Sequence, residues 1–344
     1  MRVLKLRNKL LKLPLIQGGM GVGVSLSSLA GAVAKCGAMG VISAANIGYD
    51  LQENLLSDLE VNKKSLIHHI KKANDISKGN GLIGVNVMVA MTAYKEMVQC
   101  AASAGADAVI CGAGLPLDLP QIVGENMLFA PIVSSLKALK ILVKVWLKRY
   151  EKLMDFVVVE GADAGGHLGI TRDKLASYSL PEVVSQIRTY IDELNQKFKL
   201  DIKLFAAGGI RNKADVAQII CAGADGVQVA TPFIATKECD ACDAFKQTII
   251  NATDEQLEII NSPVGMIGRA VKNEFTMLAS KQRIAPTKCI NCIKICNPSE
   301  TPYCISEALT SSVKSGAGLV FSGNKINTID RIKTVKEVIE ELIE

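Results

Sequence analysis

Short apolar runs alternate with longer amphipathic segments along the first two thirds of the chain, a pattern that predicts parallel βα units. Eight runs have strand length and end in turn residues: Pro14–Gln17, Gly40–Ser43, Leu82–Val87, Ala108–Cys111, Leu128–Ile132, Phe156–Val159, Leu204–Ala207 and Gly226–Val229. The segments predicted as helices are Ser27–Cys36, Leu55–Asn74, Ala93–Ala104, Leu136–Trp146, Pro181–Phe198 and Lys213–Cys221. Eight such strands predict an α/β fold, a (β/α)8 TIM barrel.

The chain is longer than a barrel requires. It has 344 residues, whereas a (β/α)8 barrel takes roughly 250. We therefore assign residues 1–236 to the barrel and residues 237–344 to a smaller helical lid domain that would contact substrate. Within the lid, residues 237–285 are expected to form helices, and residues 335–343 an amphipathic helix with an acidic face.

Composition narrows the classes of function. Aromatic residues make up only 4% of the chain and the net charge of +5 is spread out, which argues against a nucleic-acid binder that stacks bases. No apolar run reaches the ~18 residues of a membrane span. The first twelve residues alternate leucine with basic residues but lack the serines of a transit peptide. We expect a cytoplasmic protein with reduced cysteines and a small-molecule substrate.

A glycine-rich loop is the first candidate for chemistry. The predicted strand Phe156–Val159 leads directly into residues 160–169, where four glycines surround His167. Glycine lets backbone amides approach a ligand closely, and histidine is the side chain that titrates near neutral pH. The other histidines, His68 and His69, are adjacent in a polar helical stretch. His167 is therefore the catalytic candidate, while Asp163 is expected to brace the loop.

Two later strands end in small residues. Gly208-Gly209 follows the seventh predicted strand, and Ala230-Thr231 follows the eighth. In (β/α)8 barrels the loops after these two strands commonly bind a phosphate through backbone amides. Arg211 has two open interpretations, as an aid to that phosphate or as a surface residue at a helix start.

Four cysteines near the C-terminus have the spacing of a ligand set: Cys289-x2-Cys292-x3-Cys296-x7-Cys304. Sets of four thiolates bind iron–sulfur clusters or zinc. A loop of reduced thiols without a metal is the third interpretation, and the sequence leaves all three open.

Five motifs in order, between about Leu13 and Phe233, resemble the nitronate monooxygenase family, formerly called 2-nitropropane dioxygenase. FMN-dependent enoyl-ACP reductase II shares this scaffold and its Gly-Gly-His loop. The motifs lie at residues 13–21, 84–88, 162–169, 206–210 and 228–231. The resemblance implies an FMN-binding barrel covered by a helical lid.

The resemblance also implies roles for individual residues. Gly19 and Met20 would lie against the flavin ring, Asn86 and Glu160 would hydrogen-bond the ring or ribityl chain, and His167 would face the substrate as a base or electrostatic catalyst. The other implied cofactor contacts are Gly165 and Gly166 along the cofactor, and Gly208, Gly209, Gln228, Val229, Ala230 and Thr231 around the phosphate.

The reaction itself is left between alternatives. The first is oxidation of alkyl nitronates with flavin and oxygen. The second is reduction of enoyl thioesters or quinones by NAD(P)H through FMN. Leu168 and Glu160 favour this second reaction, because nitronate oxidisers often have Arg at the first position and Gln at the other. A third is a flavin- or metal-binding protein without catalysis. An inosine-monophosphate dehydrogenase type is disfavoured because residues 155–180 contain no cysteine. The sequence does not determine the oligomeric state, for which a homodimer is one alternative.

Overall fold

A computed structural model describes residues 3–49, 51 and 58–343. Eight parallel strands form a closed barrel. They are β3 (Leu15–Gln17), β4 (Met39–Ser43), β5 (Leu82–Met88), β6 (Ala108–Gly112), β7 (Leu128–Val133), β8 (Phe156–Glu160), β10 (Lys203–Ala207) and β11 (Gly226–Val229). The barrel closes where β11 pairs with β3, with Val229 opposite Gln17. This confirms the predicted (β/α)8 barrel and each of its eight strands.

Helices cover the outside of the barrel. They are α1 (Ser27–Lys35), α2 (Asp58–Ser77), α3 (Tyr94–Ser103), α4 (Leu119–Ile122), α5 (Leu136–Tyr150), α6 (Leu180–Phe198) and α7 (Lys213–Cys221). Residues 55–57 of the predicted helix Leu55–Asn74 lie outside the described residues. The side chains of Ser135, Ser179 and Asn212 accept hydrogen bonds from the first turns of α5, α6 and α7. Such N-caps explain why these helices begin where the sequence predicts.

A hairpin closes the N-terminal end of the barrel. It consists of β1 (Leu4–Leu6) and β2 (Lys9–Leu11). Its buried leucines join the hydrophobic cluster inside the barrel, together with Phe156 and Phe205, whose rings meet edge to face with centroids 5.5 Å apart. Because this end is closed, the opposite end, where the strands terminate, is the one left for a site.

A long insertion follows β11 and covers that opposite end. It starts with the short helix α8 (Thr231–Ile234) and continues with α9 (Asp243–Asn251), β12 (Leu257–Asn261), β13 (Ile267–Val271), α10 (Glu274–Lys281) and α11 (Ile305–Ser315). Strands β12 and β13 form a three-stranded antiparallel sheet with β9 (Gly166–Leu168).

The expectation that residues 237–285 are entirely helical is therefore wrong at β12 and β13. Pro263 and Gly265 form the turn between these strands, and Gly265 adopts φ +80°. The third strand, β9, comes from a loop about a hundred residues earlier, so no local periodicity could reveal the sheet.

The chain returns to the barrel at its end. Helix α12 (Val335–Ile343) packs against α1 and α7, and Val335, Val338, Ile339 and Leu342 join the main hydrophobic core of the barrel. The predicted helix at 335–343 is confirmed, but it packs on the barrel although it follows the insertion in sequence. Over the described ranges, no helix is long and apolar enough to cross a membrane.

Candidate functional site

A cavity of about 470 Å³ lies between the C-terminal ends of the barrel strands and the insertion. Its volume falls in the range of roughly 300–1,000 Å³ that is usual for small-molecule and cofactor sites. Most of the predicted site residues line it: Gly19, Met20, Asn86, Glu160, Gly165, Gly166, His167, Gln228, Ala230 and Thr231. Gly208, Gly209 and Val229 are not among the residues that line it.

The floor of the cavity is the turn after β3. Gln17 is fully buried, and its side chain bonds Gly18 O on the turn and both backbone groups of Val41 on β4. Gly19 passes so close to β5 that a Cβ there would lie 2.4 Å from Cβ of Asn86. Asn86 is held in turn, because its Nδ2 donates to Ile110 O at 3.2 Å. Position 19 therefore requires a glycine, because a side chain there would collide with Asn86 on β5.

Glu160 ends β8 and faces the cavity. Burial raises the pKa of its carboxyl to about 8, since desolvation disfavours the charged form. The carboxyl group is therefore mostly neutral at pH 7. Tyr178, whose hydroxyl donates to Glu160 O at 3.4 Å, lies behind it.

His167 lies in the middle of β9, opposite Gly268 of β13. Its Nε2 is 2.7 Å from Oγ of Ser262, which belongs to the turn between β12 and β13. The Phe321 ring packs edge to face against the imidazole, with centroids 5.2 Å apart. Burial lowers the pKa of His167 to about 4, so the imidazole is neutral at neutral pH. The contacts with Ser262 and Phe321 thus fix the orientation of the imidazole, which forms part of the cavity wall.

The rest of the glycine-rich loop is braced by the insertion. Arg269 of β13 is buried, and its Nη1 donates to Ala162 O and, at 2.8 Å, to Ala164 O. Asp163 accepts a hydrogen bond from Nδ2 of Asn324. A Cβ on Gly165 would lie 2.5 Å from the backbone of residues 322 and 323. The interpretation of Asp163 as a brace fits these contacts.

The two turns after β10 and β11 meet the same covering segment. Gly208 and Gly209 have φ of +102° and +74° and pack on the backbone of residues 161–164 and the Asp163 side chain. Thr231 Oγ1 accepts from Gly323 N at 3.1 Å. Arg211 donates from Nη2 to Asn324 O at 2.6 Å, while its buried Nε has no hydrogen-bond partner among the described residues. A phosphate role for Gly208, Gly209 and Val229 stays a prediction.

Sequence reasoning missed Ser262, Arg269 and the segment Phe321–Asn324. The available signals were an arginine inside the apolar run 267–271, a Ser-Pro pair, and a Ser-Gly-Asn turn. Each is common on protein surfaces, and only the pairing of β9 with β13 brings them to the cavity.

One of the four cysteines in the predicted ligand set borders the cavity. Cys292 lines the cavity, whereas Cys289, Cys296 and Cys304 are not among its lining residues. All four are free. In the part of the chain that is described, no three His, Cys, Asp or Glu side chains converge in a group that could hold a metal ion.

Comparisons with known proteins agree with the fold and identify a family. The family model described as nitronate monooxygenase matches residues 4–344. A probable nitronate monooxygenase of Staphylococcus saprophyticus is 29% identical over 123 residues, which cover 36% of this chain and 33% of that protein. A probable nitronate monooxygenase of Staphylococcus aureus strain Newman is 29% identical over 122 residues, with the same coverage. The matched region thus spans about a third of these curated relatives.

Two solved structures share the fold. FabK from Thermotoga maritima superposes with a TM-score of 0.71 at 21% identity, covering 97% of this chain and 92% of that one. A nitroalkane oxidase from Streptomyces ansochromogenes superposes with a TM-score of 0.67 at 18% identity, covering 96% and 94%. Together with the family match over almost the whole length, these findings confirm the resemblance drawn from the five motifs: the chain belongs to the nitronate monooxygenase family.

Proposed function

We propose that this protein is an FMN-dependent oxidoreductase that oxidises alkyl nitronates, with oxygen as the final electron acceptor. The observation that carries the proposal is the placement of His167. A neutral imidazole, oriented by Ser262 and Phe321, lines the cavity whose floor is the Gly18–Met20 turn. Family membership supports the same assignment.

The residues present fit a flavin mononucleotide. Gly19 and Met20 provide a floor on which a flat ring would lie, and Asn86 and Glu160 offer polar groups at its edge. Ala230 and Thr231 line another part of the cavity. Thr231 and Arg211 both bond the segment Gly323–Asn324, and the buried Nε of Arg211 lacks a partner among the described residues. We assign the ring to the first group and the phosphate to the second, with Gln228 between them on β11.

FMN, when bound, supplies the acceptance of two electrons from the substrate and their transfer to oxygen. The chain supplies the proton chemistry and the orientation. The imidazole is neutral, and Ser262 engages its Nε2, so Nδ1 is the nitrogen that would accept the α-proton of a neutral nitroalkane. With a nitronate, which has already lost that proton, the same imidazole donates a hydrogen bond to a nitro oxygen.

The second candidate is an NAD(P)H-dependent reductase of enoyl thioesters or quinones. The upper wall of the cavity favours it, because this wall is apolar and would suit an acyl chain; it includes Ile234, Phe245, Val264, Ile305, Leu309 and Leu319. Leu168 and the neutral carboxyl group of Glu160 also favour the reductase. In this reaction His167 would donate its hydrogen bond to the thioester carbonyl.

Anaerobic mixing separates the candidates. The purified flavoprotein is mixed with propyl-2-nitronate, NADH or NADPH, and flavin bleaching is followed by absorbance. We expect rapid bleaching by the nitronate. Rapid bleaching by a nicotinamide alone would replace the oxidase with the reductase, and no bleaching by any of the three would support a protein that binds flavin without catalysis.

A further inference from the structure

The insertion contributes an uncharged wall to the cavity. Among the described residues that line the cavity, the acidic and basic side chains are those of Asp58, Glu96, Glu160 and His167, and all four precede the insertion in sequence. The lining residues from the insertion are apolar or uncharged polar. An ionised group on a ligand would lose its hydration against this wall and find no opposite charge there. The wall therefore favours a hydrocarbon part of a ligand.

Helix α11 presents one continuous face to the cavity. Ile305, Leu309 and Ser312 are spaced as residues on one side of a helix, and all three line the cavity. With a rise of 1.5 Å per residue, this face is about 10 Å long. Ser312 Oγ donates to Leu309 O at 2.8 Å, and the neighbouring Ser306 Oγ accepts from Nδ2 of Asn46 at 2.9 Å. Both hydroxyls are thus engaged within the protein, which leaves the apolar side chains to contact a ligand.

Apolar surface connects His167 to this helix. The Phe321 ring packs against the imidazole with centroids 5.2 Å apart. Phe321 and Leu309 pack against one hydrophobic cluster, whose buried members include Val264 and Leu319. All five residues line the cavity. An alkyl chain attached to a group at His167 would therefore run past Phe321 to α11 without leaving apolar surface.

Helix α11 is held in place on two sides. Leu319 N donates to Ala308 O at 3.1 Å, and the backbone passes so close that a Cβ on Gly318 would lie 2.3 Å from the same oxygen. Near the other end of the helix, Lys314 Nζ donates to Tyr49 O at 3.3 Å. Because these contacts fix the helix to the insertion and to the barrel, its side chains set a definite limit to the cavity.

We propose that this wall binds the alkyl chain of the substrate and that Leu309 determines the longest chain accepted. The inference rests on the proposed function, which places the reacting group at His167. Leu309 is half-buried and lies in the middle of the α11 face that lines the cavity. The substrates are therefore primary nitro compounds with an unbranched tail long enough to reach α11, and compounds with a charged tail are excluded.

Binding of unreactive primary alcohols tests the wall without any turnover. Calorimetry on the full-length flavoprotein measures the dissociation constants of alkanols from butan-1-ol to decan-1-ol. We expect affinity to rise about threefold to fourfold with each methylene until the wall is filled. Leu309→Phe should weaken octan-1-ol by about tenfold, the loss of roughly two buried methylenes, and leave butan-1-ol nearly unchanged. Ser311→Phe, on the exposed face of the same helix, is the matched control and should change neither.

Leu309→Ala is the opposite change. It lengthens the space beside α11, so affinity should continue to rise for alkanols longer than those that fill the native wall. Thermal unfolding of each variant shows which of them fold, and Leu309→Ala decides alone if the larger phenylalanine unfolds the chain. Equal affinities along the native series, equal losses for short and long alkanols in Leu309→Phe, or an unchanged limit in Leu309→Ala would overturn the proposal.

A parallel series of primary alkyl nitronates separates this inference from the proposed function. Anaerobic flavin bleaching is followed for nitronates of increasing chain length. Graded alkanol affinity without bleaching by any nitronate would keep the alkyl-binding wall and remove the proposed reaction. Bleaching that is independent of chain length, together with equal alkanol affinities, would keep the reaction and remove the wall as a determinant of specificity.

Discussion

Burial decides the protonation state of the two titratable side chains that matter most in the cavity. Glu160 and His167 both keep a surface towards the cavity but are otherwise surrounded by protein. Desolvation raises the pKa of the carboxyl and lowers that of the imidazole. Both groups are therefore mostly neutral at pH 7, which suits the proposed binding of an anionic nitronate beside a flavin ring.

Replacement of His167 by alanine tests its catalytic role. We expect His167→Ala to keep FMN and to lose turnover by about 10²–10⁴-fold, the usual contribution of a general acid–base group. Turnover is measured under the conditions of the flavin assay, with FMN content determined by absorbance. His68→Ala, a change on the exposed face of α2, is the control. Unchanged turnover in His167→Ala would remove this residue from the chemistry.

Ser262 is expected to act through His167. Loss of one hydrogen bond in Ser262→Ala corresponds to about 0.5–1.5 kcal/mol, so we expect turnover to fall by roughly 2–10-fold while KM changes little. Ser262→Thr keeps the hydroxyl and should restore most of the rate. Equal losses in both variants would instead indicate a purely structural role for the turn.

The raised pKa of Glu160 predicts a pH dependence of stability. The unfolded carboxyl ionises near its ordinary pKa of 4.5, whereas the folded one ionises near 8. The unfolded chain therefore releases this proton first, and the free energy of unfolding falls as pH rises from about 4.5 to about 8. Glu160→Gln should raise the midpoint of thermal unfolding at pH 9 much more than at pH 4.5. The exposed change Glu193→Gln should show no such difference, and an equal shift at both pH values would contradict the assignment.

At the scale of elements, the antiparallel sheet of β9, β12 and β13 builds the half of the candidate site that contains His167. It presents His167 from β9, Ser262 from the turn and Arg269 from β13. The segment Phe321–Asn324 then closes over the glycine-rich loop and joins it to the turns after β10 and β11. The barrel provides the floor of the cavity, and the insertion orients the side chains that face this floor.

Arg269 is the residue through which this sheet holds the loop. Arg269→Met would leave two carbonyl oxygens without their donor, at about 1–3 kcal/mol for each buried orphan. We expect lower stability in urea and weaker retention of FMN on gel filtration. Arg172→Met is the control, since Arg172 is exposed and donates to Ile259 O of the same sheet at 3.1 Å. Similar losses in the two variants would show that burial of Arg269 is unimportant.

At the scale of the whole molecule, the insertion lies between the last barrel strand and the last barrel helix. Helix α12 comes back to pack against α1 and α7. Its contacts therefore connect the two ends of the barrel sequence, and the stability of the barrel depends on residues that follow the insertion.

Ile339→Ala measures that dependence. Ile339 is 3% exposed in the main core, and truncation of such a side chain costs about 2–5 kcal/mol. We expect this loss in the free energy of unfolding of the whole chain, measured in urea. Lys336→Ala, on the exposed face of the same helix, should change it by less than about 1 kcal/mol. A small effect of Ile339→Ala would show that α12 adds little to the barrel.

The sequence by itself determined the barrel. Each of the eight strands is a short apolar run bounded by turn residues, and buried parallel strands have this local signature. The loop with His167 follows from the same reasoning, because the ends of parallel strands meet at one face. The site roles of Gly19, Met20 and Asn86 were implied instead by the resemblance of their motifs to a known family. Their motifs resemble a family that the family match then confirmed.

Only the tertiary structure decided how the site is completed. The sheet that orients His167 pairs residues 166–168 with residues 267–271, and α12 meets α1 across almost the entire chain. These contacts depend on how distant segments pack. Hydrophobic periodicity reports the face that a segment buries but not its partner, so Ser262, Arg269 and Phe321 had no local pattern to distinguish them from ordinary surface residues.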